Sequence, residues 1–207
     1  MLVWRLPRPV RAISSGPFGG GLSACRWVIN ATVDKAYGRT DPEVHIADLA
    51  RGLDLRGPGA GLLTAVHVGE AVSADDGGVA VTATVGLGHQ TWAAAPDGDL
   101  RTGPGTINIV AFLPVPLSDA ALVNAVITAT EAKTQALWEH GVKATGTASD
   151  ALFVGCKGGW AGAAVAVELD TAEPFAGPRS VWGARLARAV YAAVADGTSL
   201  WLARYAR

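Results

Sequence analysis

Glycine divides this chain into short pieces. Of its 207 residues 26 are glycine, clustered at 16–21, 57–61, 77–78, 86–88, 98–105 and 155–159. Such clusters mark turns and loops, because glycine adopts backbone angles closed to other residues. No internal repeat and no long linker separates the pieces, so residues 1–207 read as a single domain. Half of the residues are hydrophobic and 17% are charged. That balance is too apolar for a disordered chain and predicts a core that needs no disulfide or metal.

Between the glycines the patterns are legible. Residues 27–33 are rich in β-branched side chains and predict a strand. Asp41, Pro42 and Glu43 read as an N-cap and first turn of a helix reaching about Gly52. Residues 62–68, 79–85 and 106–113 predict three more strands, the last two apolar enough to be central and covered on both faces. Ser118 and Asp119 open the longest helix, which runs to about His140. Its apolar stripe is read from Leu122, Val123, Val126, Ile127, Thr130, Thr134, Leu137 and Trp138. Late strands are predicted at 152–154 and 163–169, and a last helix at 181–195, closed by Gly197. A strict alternation of strand and helix is missing. The fold class is therefore α+β, with mixed β-sheet layers packed by about three helices.

The charge pattern narrows the partners. A net charge of −1 with dispersed basic residues offers nothing to nucleic acid. No stretch of about 18 apolar residues reads as a membrane span. Met1 to Arg11 lacks an apolar run of signal-peptide length. The two cysteines, Cys25 and Cys156, have no metal or disulfide spacing. These features predict a cytoplasmic protein in a reducing compartment.

Signatures of nucleotide loops, serine-hydrolase elbows and paired metal ligands are absent. The scattered His, Asp and Glu show no ligand spacing, so the sequence requires no cofactor and leaves divalent-metal dependence open. Chemistry is concentrated instead in three segments, 84–92, 103–108 and 145–150. The first leaves a predicted central strand and carries Thr84, Gly88, His89 and Trp92. His89 is either a general base or a surface imidazole held by a loop carbonyl. Trp92 stacks on a flat ligand or caps the core. The second segment carries Thr106 and Asn108. An amide inside an apolar strand must be hydrogen-bonded, so Asn108 either pins backbone or donates to a substrate or oxyanion. The third carries Thr145, Thr147, Ser149 and Asp150. It is either a turn that bonds its own backbone or a wall with a hydroxyl nucleophile beside a carboxylate. On the long helix Asn124, Thr128, Glu131 and Gln135 form one polar row, with Lys133 at the edge of the apolar stripe. Glu131 and Lys133 supply acid, base or anchoring charge, or the row is simply solvated.

In order and spacing these segments resemble one family. Ser14-Ser15-Gly16-Pro17 with Gly19-Gly20-Gly21-Leu22 comes first, then Thr84-Val85-Gly86-Leu87-Gly88-His89. Pro104-Gly105-Thr106-Ile107-Asn108-Ile109, Thr130-Glu131-Ala132-Lys133, Ala144-Thr145-Gly146-Thr147-Ala148-Ser149-Asp150 and Gly177-Pro178-Arg179-Ser180 follow. The set is similar to the adenosylcobinamide amidohydrolases over about residues 12–195. That resemblance implies a corrinoid salvage enzyme that hydrolyses the amide between the corrin propionyl arm and aminopropanol. The substrate would itself be a cobalt corrinoid, and a homo-oligomer is compatible with the reading. The candidate catalytic residues are His89, Glu131, Thr147, Ser149 and Asp150. Those expected to contact substrate are Ser15, Gly20, Asn30, Thr84, Gly88, Trp92, Thr106, Asn108, Lys133 and Thr145. A corrinoid-binding protein without hydrolysis and an amidase of other small amides are the alternatives.

Overall fold

The computed structural model describes residues 1–97, 105–158 and 172–205. In chain order the elements are β1 (Leu2–Ser14), β2 (Gly21–Thr32), α1 (Pro42–Gly52), β3 (Gly59–Thr64), β4 (Val72–Asp76) and β5 (Val79–Gly86). There follow β6 (Gln90–Thr91), β7 (Thr106–Leu113), α2 (Asp119–Glu139), β8 (Gly146–Thr147), β9 (Ala151–Cys156) and α3 (Val181–Tyr205). Seven strands form one mixed sheet in the order β3-β2-β1-β9-β7-β5-β4, and β6 pairs with β8 in a small second sheet. The fold is α+β.

The large sheet curls, and the sequence supplies the cause. Arg5 of β1 faces Trp27 of β2 while Val10 faces Cys25, so residues 6–9 stand opposite Arg26 alone. Pro7 and Pro9 lie in this bulge. Proline has no N–H to give a ladder, and the extra residues bend the strand. Only residues 11–14 of β1, beyond the bulge, pair with β9. The β2–β3 half thus folds over the inner faces of β7 and β9. Val28, Ala60 and Leu62 pack there against Val110, Ala151 and Phe153. α1 covers the outside of the β2–β3 half, with Ile46 and Ala50 on Trp27, Ile29 and Ala31. α2 and α3 cover the other face of β5, β7 and β9. Along β7 the period of two sends Ile107, Ile109, Ala111 and Leu113 to the helices. Thr106, Asn108 and Val110 therefore point into the space enclosed by the curl.

The long helix buries Leu122 and Leu137 of the expected stripe but otherwise packs through small side chains. Val123, Ile127 and Trp138 are exposed, whereas Ala121, Ala125, Ala129, Ala132 and Ala136 are buried. Small side chains let the helix approach the sheet and α3 closely, so contact selected size over hydrophobicity. The polar row is split for the same reason. Thr128 is buried and donates to Ala176 O at 2.8 Å, and Asn124 Oδ1 accepts from Ala176 N at 3.2 Å. Ser118 caps α2 by accepting from Ala121 N, as predicted. Asp41 precedes α1 but makes no cap bond, because its carboxylate accepts from Arg39 at 2.8 Å instead. Strands β1 and β4 were not evident from the sequence, and β3 ends at Thr64 rather than Val68. The predicted strand at 163–169 lies outside the described residues, as do Gly103 and Pro104.

Gly197 does not end α3; the helix continues to Tyr205. The glycine is used for close approach to β5, since a Cβ there would lie 2.6 Å from Val85 Cγ2. Gly→Ala inside a helix ordinarily stabilises by about 1 kcal/mol. Here overpacking against a buried β-branched neighbour, worth ~1–3 kcal/mol, outweighs it. Gly197→Ala should thus lower stability by up to about 2 kcal/mol, read from urea unfolding midpoints at constant slope.

Candidate functional site

One end of the curled sheet opens into a cavity of about 760 Å³. Its sheet-side wall is formed by Ser15, Thr64, Thr106, Ser149 and Asp150, and its opposite wall by Asp34, Lys35 and Tyr37. Strand ends converge here: β3 stops at Thr64, β7 begins at Thr106 and β9 at Ala151.

Asp150 is the centre of the wall. Its Oδ1 accepts from Ile107 N at 3.0 Å, and both oxygens lie 3.2 Å from Thr147 N. Lys133 Nζ donates to its Oδ2. The Lys133 and Asp150 side chains are only 10% and 17% exposed, so this ion pair is largely removed from water. Gly146 makes room for it. A Cβ at that position would stand 2.2 Å from Asp150 Oδ2 and 2.5 Å from Lys133 Nζ. The glycine of the Thr145–Thr147 segment is therefore a steric requirement of the pair.

The surrounding hydroxyl protons can be assigned by counting. Thr147 Oγ1 lies 2.5 Å from Asp150 Oδ1 and 2.9 Å from Gly105 O, but it has one proton. The charged acceptor forms the stronger bond, so that proton goes to Asp150. Gly105 O is then served by Ser149 Oγ at 3.0 Å. Thr106 Oγ1, 2.6 Å from Ser149 Oγ, becomes the donor of that contact. Both of its lone pairs stay available on the cavity wall. Ser15 Oγ is engaged with Leu152 N at 2.9 Å, tying the first glycine-rich loop to the start of β9.

A second polar group lies deeper, inside the curl. Asn108 Nδ2 donates to Asn30 Oδ1 and to Leu63 O, both at 2.9 Å. Asn30 Nδ2 donates to Thr84 Oγ1 at 3.1 Å. Leu63 O can only accept, which fixes the Asn108 orientation. Both Asn108 amide protons are thereby used, and none remains for an oxyanion. Its Oδ1 is buried with no hydrogen-bond partner. Four strands, β2, β3, β5 and β7, are locked together by these bonds, so Asn30, Thr84 and Asn108 lie behind the cavity wall.

The remaining candidates lie elsewhere. Glu131 is exposed on α2, about half a turn around the helix from buried Lys133. Trp92 stands edge-on to Trp138 with ring centroids 5.6 Å apart, and both are about half exposed. Thr145 binds the same loop, with Ala93 N donating to its Oγ1 at 2.8 Å. Gly20 is exposed in the turn between β1 and β2. His89 follows β5, and its backbone abuts Gly105. Gly88 lines a smaller cavity beside the main one.

The sequence reading missed Asp34, Lys35 and Tyr37. A signal existed, since they begin a polar loop where the predicted strand at 27–33 ends. Tyr37 OH contacts His45 Nδ1 at 3.0 Å. Partial burial lifts the Tyr37 phenol above its ordinary value, opposed by Arg39 and assisted by Asp41 and Glu43, so it is protonated at neutral pH. Cys25 and Cys156 are buried, and that burial pushes both thiols up, making them poor nucleophiles. Among the described residues no three His, Cys, Asp or Glu side chains are grouped to hold a metal. No described helix is long and apolar enough to cross a membrane.

A cavity bordered by hydroxyls and by the largely buried Lys133–Asp150 pair thus lies at the end of the curled mixed sheet of an α+β protein. The family model described as adenosylcobinamide amidohydrolase matches residues 1–206. The chain is 30% identical over 192 residues to the adenosylcobinamide amidohydrolase of Methanosarcina mazei, covering 91% of this chain and 90% of that protein. It is 36% identical over 157 residues to the adenosylcobinamide amidohydrolase of Halobacterium salinarum, covering 72% and 67%. The chain belongs to the adenosylcobinamide amidohydrolase family, a family of enzymes that hydrolyse an amide bond.

The Lys133–Asp150 pair makes a quantitative demand. Removing one member of a buried pair leaves the other charge uncompensated, at a cost of about 3–5 kcal/mol. Lys133→Met should destabilise by about that much in chemical denaturation. The double variant K133M/D150N should cost clearly less than the sum of its single variants, because each single change already breaks the shared contact.

Proposed function

We propose that this protein hydrolyses the amide of adenosylcobinamide to adenosylcobyric acid and 1-amino-2-propanol, as a step of corrinoid salvage. Family membership supports the reaction class. The observation that carries the site assignment is the Asp150 carboxylate, held by Lys133 and two backbone N–H groups on the wall of the cavity. The cavity is bordered by hydroxyls and carries few charges, which suits a substrate fringed with amides.

In this reading Asp150 is the general base. Lys133 and Thr147 are positioning residues that hold the carboxylate. Oδ2 accepts a proton from a water molecule as that water attacks the amide carbonyl carbon. The C–N bond then breaks, and Asp150 returns the proton to the departing amine. Thr106 Oγ1, with free lone pairs beside Ser149, accepts from the scissile amide N–H and orients it. Ser149 donates to Gly105 O rather than to a base, so its hydroxyl serves better as a positioning group than as a nucleophile.

Incubation with adenosylcobinamide, followed by mass spectrometry of the corrinoid and assay of released aminopropanol, tests the reaction. Tight corrinoid binding without product would favour a binding protein instead. Asp150→Asn should lower kcat by about 10²-fold or more while cobinamide still binds. A loss of that size in His89→Ala or Glu131→Ala, with Asp150→Asn active, would move the base to those residues.

A further inference from the structure

The first glycine-rich loop, residues 15–20, has no part in the proton transfers assigned to Asp150, yet it is fixed on both flanks. Gly16 N donates to Ser14 Oγ, and Gly61 N of β3 donates to Phe18 O, both at 3.0 Å. A Cβ at Gly16 would stand 2.5 Å from Gly61 O, so glycine is what lets the loop lie this close to β3. On the other flank Ser15 is tied to β9 twice. Its N–H donates to Leu152 O and its Oγ accepts from Leu152 N, both at 2.9 Å. Leu152 is two residues beyond Asp150, so the serine and the carboxylate stand about 7 Å apart along the strand. Both border the same cavity.

The hydroxyls of this wall differ in where their protons go, and each has only one. Those of Thr147, Ser149 and Thr106 are used on Asp150, Gly105 O and Ser149. Both Asn108 amide protons are used on Asn30 and Leu63. Ser15 Oγ is occupied as an acceptor, and among the described residues nothing takes its proton. Thr64 is in a similar state, with Val66 N donating to its Oγ1 at 3.1 Å, but Thr64 is 1% exposed whereas Ser15 is open to the cavity. Lys35 on the opposite wall is a donor on a long flexible stem, 5.8 Å from the Tyr205 ring centroid. Ser15 is held by backbone instead. An oxygen that accepts from an N–H, with its proton facing no base, is a fixed donor rather than a nucleophile. Donors fixed before the reaction are what stabilise charge developing on a carbonyl oxygen. We propose that Ser15 is the oxyanion donor of this site. The proposal rests on the reading of Asp150 as the base that acts on water. As the water oxygen bonds to the amide carbon, one of its protons passes to Asp150 and the carbonyl π pair moves onto oxygen. Ser15 Oγ–H donates to that oxygen and keeps its own proton throughout. When the pair returns, the C–N bond breaks and Asp150 gives its proton to the amine. Gly16 is a positioning residue, because it allows the loop to press Ser15 against β9.

Steady-state kinetics of the full chain with adenosylcobinamide, in Ser15→Ala and Ser15→Thr, test the assignment. Loss of one oxyanion donor lowers kcat by about 10²–10³-fold. Ser15→Ala is expected to show that loss with KM changed less than about threefold, since the donor acts on the transition state rather than on bound substrate. Ser15→Thr keeps a hydroxyl and should recover at least about tenfold of the lost rate. Cobinamide titrated onto the Ser15→Ala/Asp150→Asn double variant should bind as tightly as onto Asp150→Asn alone, which shows that the cavity still forms. Turnover by the unaltered protein with kcat unchanged in Ser15→Ala overturns the oxyanion role and leaves the base assignment standing. Lost cobinamide binding in the double variant, or a kcat loss that Ser15→Thr does not recover, makes Ser15 a clamp of the loop and also overturns it. Absence of product from the unaltered protein overturns the hydrolase reading, and the oxyanion role with it.

Discussion

The Asp150 carboxylate is where three separate parts of the chain are held together. It accepts from the backbone of β7 at Ile107, from Thr147 in β8 and from Lys133 on α2. A carboxylate can satisfy so many donors only when they converge from different directions. Each donor therefore constrains the position of its own element. The Lys133 ammonium also places a charge on the buried face of α2, beside Ala129, Ala132 and Ala136. Such a burial is tolerable because the partner charge is in contact, and costly if that contact is lost. The same convergence puts Asp150 on the cavity wall with its orientation set, which is what a proton-transfer group needs.

The cavity itself depends on the curl of the sheet. In strand order β3 is separated from β7 by β2, β1 and β9, yet Asn108 of β7 donates to Leu63 O of β3. The bulge at Pro7 and Pro9 bends β1, and the two halves of the sheet close on each other. Where their facing residues are apolar they form a core, as around Phe153. Where the same inward positions are polar, Asn30, Thr84 and Asn108 form a hydrogen-bonded chain, and Thr106 borders the cavity. One geometric feature thus makes both the core and the site.

Much of the local structure was legible before any coordinates. β7 coincides with the predicted apolar run, α2 begins at the Ser118 cap, and the glycines at 16–20 and 77–78 fall between strands. These features depend on neighbours in sequence, which is why they can be read there. The packed face of α2 was legible at Leu122 and Leu137 but not at its alanines, because large apolar residues were weighted over small ones and how close two surfaces come is a tertiary quantity. The reading of Gly197 failed likewise: it is a helix terminator by local rule and a contact point with Val85 in fact. Strand β1 escaped notice because its prolines and arginines hide the alternation, although those prolines are what bend the sheet.

The sequence alone determined the α+β class, the family and the segment holding Thr147, Ser149 and Asp150. Each is carried by residues adjacent in the chain or by the order of short motifs. Only the tertiary structure decided which candidates share a wall. It joined Thr106, Lys133 and Asp150, placed Asn30, Thr84 and Asn108 behind them, and left Glu131 and Trp92 on the outer surface. It also brought Lys35 and Tyr37 to the cavity from a loop more than a hundred residues away from Asp150. The physical reason is that hydrogen bonds and steric contact act over a few ångströms in space, and the curl of one bent strand sets which distant residues come within that range.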